Sequence, residues 1–180
     1  MKSGNDAAAV LALFAADNMS DAVALMNKEA KSLGATESNF VNPHGLYNDN
    51  HYTTVYDLYL IFNEAIKYSK FVDTLSCMKY TGSFTRKTAY GDYSIGCSYT
   101  NSNGFLTGSY ATPDGIKVYG GKAGYTEVAR RSYVMLAESN NGHKYIIITM
   151  RAESNSLMYK DLSALLNKIP VDKKSYADNE

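Results

Sequence analysis

Two apolar runs, residues 132–137 and 144–150, flank the polar stretch Glu138-Ser139-Asn140-Asn141-Gly142-His143, and no other feature narrows the fold as much. An Asn-Gly pair supplies two residues that tolerate positive φ, as a tight hairpin turn demands, so the two runs are predicted to be antiparallel neighbours in a sheet. Two further segments read as strands: 78–85, with Tyr80, Thr81, Phe84 and Thr85, and 116–121, which becomes glycine-rich at its end. Upstream the periodicity is helical. Residues 6–17 are Ala-rich with Val10, Leu11, Leu13 and Phe14 apolar. Ser20 is the expected N-cap of a second helix that carries Val23, Met26, Ala30 and Leu33 on one face, with Gly34 just past its end. Thr54 and Asp57 make a capping-box-like start to a third, with Leu58, Ile61, Phe62 and Ala65 at i, i+3, i+4 and i+7. An irregular polar loop, 36–52, joins these two helices. A last amphipathic helix is expected near 156–168, with Leu157, Leu162, Leu165 and Leu166. Helices, then a strand meander, then a helix give an α+β fold with an antiparallel sheet.

Composition removes whole classes of function. The chain has 180 residues, with 18 Lys+Arg against 18 Asp+Glu, so no basic stripe is available to neutralise nucleic-acid phosphates. The longest apolar stretches, 10–16 and 145–149, are far too short to cross a bilayer. Tyr is abundant (16) and Trp absent, which favours a polar-aromatic surface over a greasy one. Cys77 and Cys97 fit no metal-ligand spacing; two free, half-buried thiols are expected, and nothing requires a disulfide between them.

Three segments combine small residues, charge and hydroxyl or amide groups where core packing has no need of them. Ser3-Gly4-Asn5-Asp6 opens a helix, and its plainer reading is a helix start capped by Ser3 or Asn5. Tyr99-Thr100-Asn101-Ser102-Asn103-Gly104 alone reads as a turn. Gly120-Gly121-Lys122-Ala123-Gly124-Tyr125-Thr126 alone reads as a β-turn with a solvated lysine, although glycines let a strand edge accept another backbone closely.

Their order changes the reading. Ser3-Gly4-Asn5-Asp6-Ala7-Ala8 resembles the S-x-N motif, with its Asp-Ala continuation, of the serine D-alanyl-D-alanine carboxypeptidases, the low-molecular-mass penicillin-binding proteins. Leu25-Met26-Asn27 with Ala30, Leu33 and Gly34 is similar to that family's LMN-x-x-A-x-x-L-G helix. Phe40-Val41-Asn42-Pro43-His44-Gly45-Leu46 resembles its F-x-N-P-H-G-L loop, and His51-Tyr52-Thr53-Thr54-Val55-Tyr56-Asp57-Leu58 the segment that follows. Asn101-Ser102-Asn103 is similar to its N-x-N turn, and Lys122-Ala123-Gly124-Tyr125-Thr126 with Ala129 to K-T-G-Y-T-x-x-A.

The resemblance implies a β-lactamase/DD-peptidase-like α+β fold, an antiparallel sheet flanked by helices, over residues 1–170, followed by a polar tail, 171–180. It implies a hydrolase of the cell envelope, outside the cytoplasmic membrane, that removes the terminal D-Ala of peptidoglycan stem peptides ending in D-Ala-D-Ala through an acyl-enzyme. The full-length protein is then a target of β-lactam antibiotics, and no cofactor, metal or nucleic acid takes part. Carried over by position, Ser3 relays a proton, Asn5 holds the substrate amide, and Lys122 supplies charge. Ala123, Gly124 and Thr126 lie along the bound peptide. The family activates its serine from an S-x-x-K helix.

That helix has no counterpart upstream of Ser3, so the N-terminal strands and the nucleophile helix are expected to be missing, and the chain alone to be inactive. An apolar face left by the loss is expected to be exposed, covered by a partner, or buried in a dimer. Met1 runs almost at once into helix-like sequence with no signal peptide, which such a piece would not show in any case. The one literal match, Ser76-Cys77-Met78-Lys79, lies where a strand is expected, and positions i and i+3 of a strand face opposite sides. Ala123 also replaces the hydroxyl residue of K-T-G, and Arg130 and Arg131 follow the motif, either compensating for it or facing solvent at a strand end. His44 and His51 are expected to serve loop structure rather than a metal. The competing reading is a non-catalytic homologue that binds peptidoglycan peptides or acts structurally. A class A β-lactamase ranks lower, because Ser3-Gly4-Asn5 replaces S-D-N and the N-P-H-G-L loop is present.

Overall fold

A computed structural model describes residues 3–172. Four helices lead: α1 (Asn5–Ala15), α2 (Met19–Ser32), α3 (Val55–Ala65) and α4 (Ser69–Ser76). Five strands follow, β1 (Lys79–Thr88), β2 (Gly91–Thr100), β3 (Ile116–Thr126), β4 (Arg130–Ser139) and β5 (Lys144–Ala152), and α5 (Asn155–Leu166) closes the order. β3, β4 and β5 form one antiparallel sheet in that order, and β1 and β2 a separate two-stranded ribbon. Residues 173–180, most of the expected polar tail, lie outside the described residues. Its start is held by Asn140, which exchanges two 2.8 Å hydrogen bonds with the Asp172 backbone.

Local chemistry sets most of the boundaries. The Thr54 hydroxyl accepts from the Asp57 N–H at 3.0 Å, the expected start of α3. The expected cap of α2 is corrected. Asn18, not Ser20, caps it: its Oδ1 accepts from the Asp21 N–H at 3.0 Å while its Nδ2 donates to the Asp21 carboxylate at 2.8 Å. Both groups of Asn18 are thereby satisfied, and Ser20 lies inside the first turn of α2. Ser154 caps α5, accepting from the Leu157 N–H at 3.1 Å, so the helix begins earlier than its apolar pattern suggests.

β4 is the spine of the core because its two faces pack different helices. Tyr133, Met135 and Ala137 meet Ile147, Met158, Leu162 and Leu166 on the α5 side. Val134 and Leu136 point the other way, to Phe62 of α3 and Phe71, Val72 and Leu75 of α4. A sheet covered on both faces needs apolar residues in both registers, which is why residues 132–137 read as a continuous apolar run and not an alternating one. Each fully buried Leu or Met there contributes about 1.5–3 kcal/mol.

Two glycines let α4 and β4 approach β3. At Gly120 the ladder bulges, φ is 132°, and a side chain would overlap the carbonyl oxygen of Leu75. At Gly121 it would collide with the Val134 carbonyl and the Tyr133 ring. Among the described residues no single helix is long and apolar enough to cross a membrane. α1 buries none of its side chains, and Leu11 and Phe14 stand 69% and 83% exposed.

Candidate active site

A groove of about 1080 Å³ runs between the start of α1 and the outer strand of the sheet. Ser3, Gly4, Asn5 and Asp6 form one wall and Lys122, Ala123, Gly124 and Tyr125 the other, with Tyr133, Val134 and Met150 along the floor. The 40–46 loop, with His51, closes one end.

The first wall owes its character to the way α1 begins. Gly4 is the N-cap, extended at φ −128° and ψ 95°, and no side chain caps the helix. The plainer expectation, a cap made by Ser3 or Asn5, is therefore corrected: a glycine takes the capping place and both polar side chains stay in the groove wall. The loop beside them is fixed by side chains bonding to backbone. Asn27 of α2 donates from Nδ2 to the Phe40 carbonyl at 2.7 Å and accepts the Phe40 N–H at 2.8 Å. Asn42 accepts from the Gly45 N–H at 2.7 Å and donates to the Leu46 carbonyl at 2.9 Å, closing a turn in which Gly45 has φ 77°. Ser38 donates to the buried Asp57 carboxylate at 2.7 Å.

Both loop histidines behave as expected. His51 accepts the Val41 N–H on Nδ1 at 3.2 Å, and His44 accepts the Leu46 N–H on Nδ1 at 3.3 Å. A ring nitrogen that accepts must be unprotonated, so the bond from Val41 favours the neutral ring of His51. Burial, and then the neighbouring His44, hold the His51 pKa below its ordinary value. Among the described residues no cluster of His, Cys, Asp or Glu could hold a metal ion.

The second wall corrects the β-turn reading of 120–126. β3 continues through all of it and is the outermost strand of its sheet, so Lys122 stands on an open edge that can receive an extended peptide backbone. Its ammonium folds back to donate to the Ala123 carbonyl. Much of the side chain is solvent-accessible, yet the protein crowded around the charge desolvates it and holds its pKa below the ordinary lysine value. Thr126 departs from expectation. It lies outside the groove lining, and its hydroxyl accepts from the Ala129 N–H at 3.1 Å in the turn into β4.

Tyr125, Tyr133, Ser132 and Met150 line the groove without having been singled out from the sequence as binding residues. The ladder is the missing information: Gly124 pairs with Ser132 and Ala123 with Tyr133, which brings β4 beneath the lysine. Tyr133 is buried, and desolvation followed by nearby Tyr159 pushes its hydroxyl pKa up, so it stays protonated. Arg130 is exposed in the turn with φ 61°. Arg131 stacks its guanidinium 4.4 Å from the Tyr125 ring centroid, and its buried Nε has no partner.

The remaining motif residues act on structure. Asn101 and Asn103 are buried. Asn101 donates from Nδ2 to the carbonyls of Leu75 and Cys77, both at 3.0 Å, while Asn103 accepts from the N–H groups of Phe105 and Leu106 at 2.9 and 3.3 Å. Together they tie the end of α4 to the loop leading into β3. Ser76 ends α4 and donates to the Val72 carbonyl at 3.0 Å, whereas Lys79 is exposed at the start of β1. The Ser76–Lys79 match is thus split across two elements, with its hydroxyl committed to the helix backbone. Cys77 and Cys97 are free and half-buried.

Solved structures similar to this fold include D-alanyl-D-alanine carboxypeptidases, penicillin-binding proteins and a Streptomyces DD-transpeptidase. The carboxypeptidase of Mycobacterium tuberculosis superposes with a TM-score of 0.69 at 27% identity, over 92% of this chain and 58% of that one. Penicillin binding protein 5 from Haemophilus influenzae superposes with a TM-score of 0.74 at 27% identity, over 92% of this chain and 43% of that one. The chain belongs to the D-alanyl-D-alanine carboxypeptidase family, whose sequence model matches residues 1–154. It is 33% identical over 144 residues to D-alanyl-D-alanine carboxypeptidase DacF of Bacillus subtilis, covering 78% of this chain and 32% of the relative. It is likewise 33% identical over 139 residues to D-alanyl-D-alanine carboxypeptidase DacA of Escherichia coli K12, covering 72% and 30%. The chain therefore spans about a third of the length of these curated relatives.

Proposed function

We propose that this chain is the substrate-holding part of a serine-type D-Ala-D-Ala carboxypeptidase of the bacterial cell envelope, acting outside the cytoplasmic membrane on peptidoglycan stem peptides. The observation that carries it is the single groove into which the start of α1 and β3, more than 100 residues apart in sequence, bring Ser3, Asn5, Lys122, Ala123 and Gly124. The stem peptide lies antiparallel to the β3 edge. Asn5 donates its amide hydrogens to the peptide carbonyl, Lys122 faces the terminal carboxylate, and the Ser3 hydroxyl passes the proton to the departing D-Ala amine.

The acyl-enzyme needs an activated serine with a base beside it. Ser76 and Lys79 do not meet that need, so we assign the chain as given to binding and not to acylation. One domain over 1–170 with a polar tail after it remains the proposed organisation.

The test pairs two measurements on the same preparation. Calorimetric titration with a diacylated Lys-D-Ala-D-Ala peptide is expected to saturate, with Lys122→Ala weakening binding about tenfold, as for loss of a charged partner. Mass spectrometry after incubation with a penicillin is expected to show no adduct. A covalent adduct would refute the assignment to binding alone, and absence of peptide binding would refute the carboxypeptidase reading. A purely non-catalytic peptide binder is favoured by one observation, the methyl group at Ala123. Failure of an S-x-x-K-bearing parent protein to react with penicillin would establish it.

A further inference from the structure

We infer that Arg131 selects among stem peptides. It favours those whose residue before D-Ala-D-Ala ends its side chain in a carboxylate, as diaminopimelate does, over those with lysine there. The inference rests on the proposed function, which lays the peptide antiparallel to the β3 edge with its terminal carboxylate at Lys122. That placement sets the register, because an added strand meets the edge residue by residue. The terminal D-Ala lies opposite Ala123, the penultimate D-Ala opposite Gly124, and the residue before them opposite Tyr125. Residues directly opposite in an antiparallel ladder share a face. On its inner side Tyr125 pairs with Arg131, so the third peptide residue, Tyr125 and Arg131 stand in one row across three strands.

Arg131 reaches along that row. Its guanidinium lies 4.4 Å from the centroid of the Tyr125 ring, and Tyr125 is exposed and lines the groove. Stacking engages the flat face of a guanidinium and leaves its in-plane N–H groups for an anion, the geometry in which arginine grips a carboxylate. Among the described residues the protein supplies no such anion. The one ion pair joins Lys67 and Glu64, so neither Glu127 in the adjoining turn nor Glu153 just past β5 takes the charge. The buried Arg131 Nε has no hydrogen-bond partner either, an arrangement that folded proteins ordinarily avoid.

Reach and charge choose the ligand. Neighbouring strands lie about 4.8 Å apart, so the backbones of the third peptide residue and Arg131 are about 10 Å from each other. The arginine stem, leaning over Tyr125, covers part of that distance. A long side chain with a carboxylate at its end covers the rest, whereas a short acidic one stops before the ring. Diaminopimelate has this form: it is lysine with a second carboxylate on the carbon that bears the side-chain amine. A lysine in the same place brings only its ammonium, which the arginine repels. The same ladder sets Arg130 aside. It pairs with Thr126, one step further along, and so belongs to the opposite face.

Calorimetric titration with three peptides that differ only in the residue before D-Ala-D-Ala tests the assignment. That residue is lysine, diaminopimelate, or diaminopimelate amidated at its side-chain carboxylate. The wild-type chain is expected to bind the diaminopimelate peptide about tenfold more tightly than the other two. Arg131→Gln should bring the diaminopimelate peptide down to the affinity of the lysine peptide without weakening the latter, whose retained binding shows that the variant is folded. Arg130→Gln should keep the preference, and Lys122→Ala should weaken all three peptides by the same factor. Equal binding of the three peptides by the wild-type chain overturns the inference and leaves the proposed function standing. A preference that survives in Arg131→Gln does the same. Binding of none of the three overturns the proposed function, and this inference with it.

Discussion

At position 123 a methyl group sits on the β3 edge where the K-T-G motif of the family carries a hydroxyl. A hydrogen bond to a charged carboxylate contributes about 1.5–3 kcal/mol, more than most neutral contacts in such a groove. Ala123→Thr is therefore expected to tighten binding of a D-Ala-D-Ala peptide by about tenfold or more in calorimetric titration. Ala123 is exposed on a strand, where threonine is a favoured residue, so the change is not expected to disturb folding. Unchanged affinity would mean that the carboxylate seats elsewhere, with Arg131, whose guanidinium stacks on the groove residue Tyr125, as the next cation to test.

Among the elements, the loop between α2 and α3 is the part whose shape depends on protonation. Val41 gives its N–H to an unprotonated His51 nitrogen, and the His51 pKa lies below its ordinary value of 6.5 in the native state. As pH falls through 6.5 the unfolded chain takes up this proton before the native chain does, so stability drops until the native pKa is passed. The wild-type melting temperature is expected to fall between about pH 7.5 and about pH 5, by more than that of His51→Asn, because an asparagine Oδ1 occupies the same accepting position without taking a charge. Equal falls in the two proteins would show that His51 does not govern the loop.

For the molecule as a whole, the consequence of a sheet sandwiched between helices is two cores on opposite faces of the same three strands. Phe62 of α3 belongs to one and Leu162 of α5 to the other. Phe62→Ala and Leu162→Ala are each expected to cost about 3 kcal/mol in urea unfolding. The double variant should cost their sum within about 0.5 kcal/mol, since sites without shared partners are independent. A larger departure would mean that strain passes through β4 from one face to the other.

Residue order alone determined elements that carry their own local signals: the hairpin of β4 and β5 at Asn141-Gly142, the start of α3 at Thr54 and the inward face of α3 around Phe62, whereas Leu157 and Leu165 of α5 are exposed and Met158 and Tyr159 are buried instead. It also carried the family through its motif residues, of which Asn42 and Asn103 serve backbone groups within four residues of themselves. What it did not carry was pairing. The eight residues of α4 are too few to show a period, and Phe71, Val72 and Leu75 have a purpose only against the sheet. β2, with glycine, serine and tyrosine in place of a clear alternation, becomes a strand only beside β1. Likewise Lys122 looked like a turn residue until the ladder to β4 extended β3 through it, and only then did Ser3 and Lys122 face a common groove. Capping and turn chemistry act within a few residues of the chain and can be read from it. A strand edge, its register and the groove beside it arise from contacts between distant segments, and those exist only once the chain has folded.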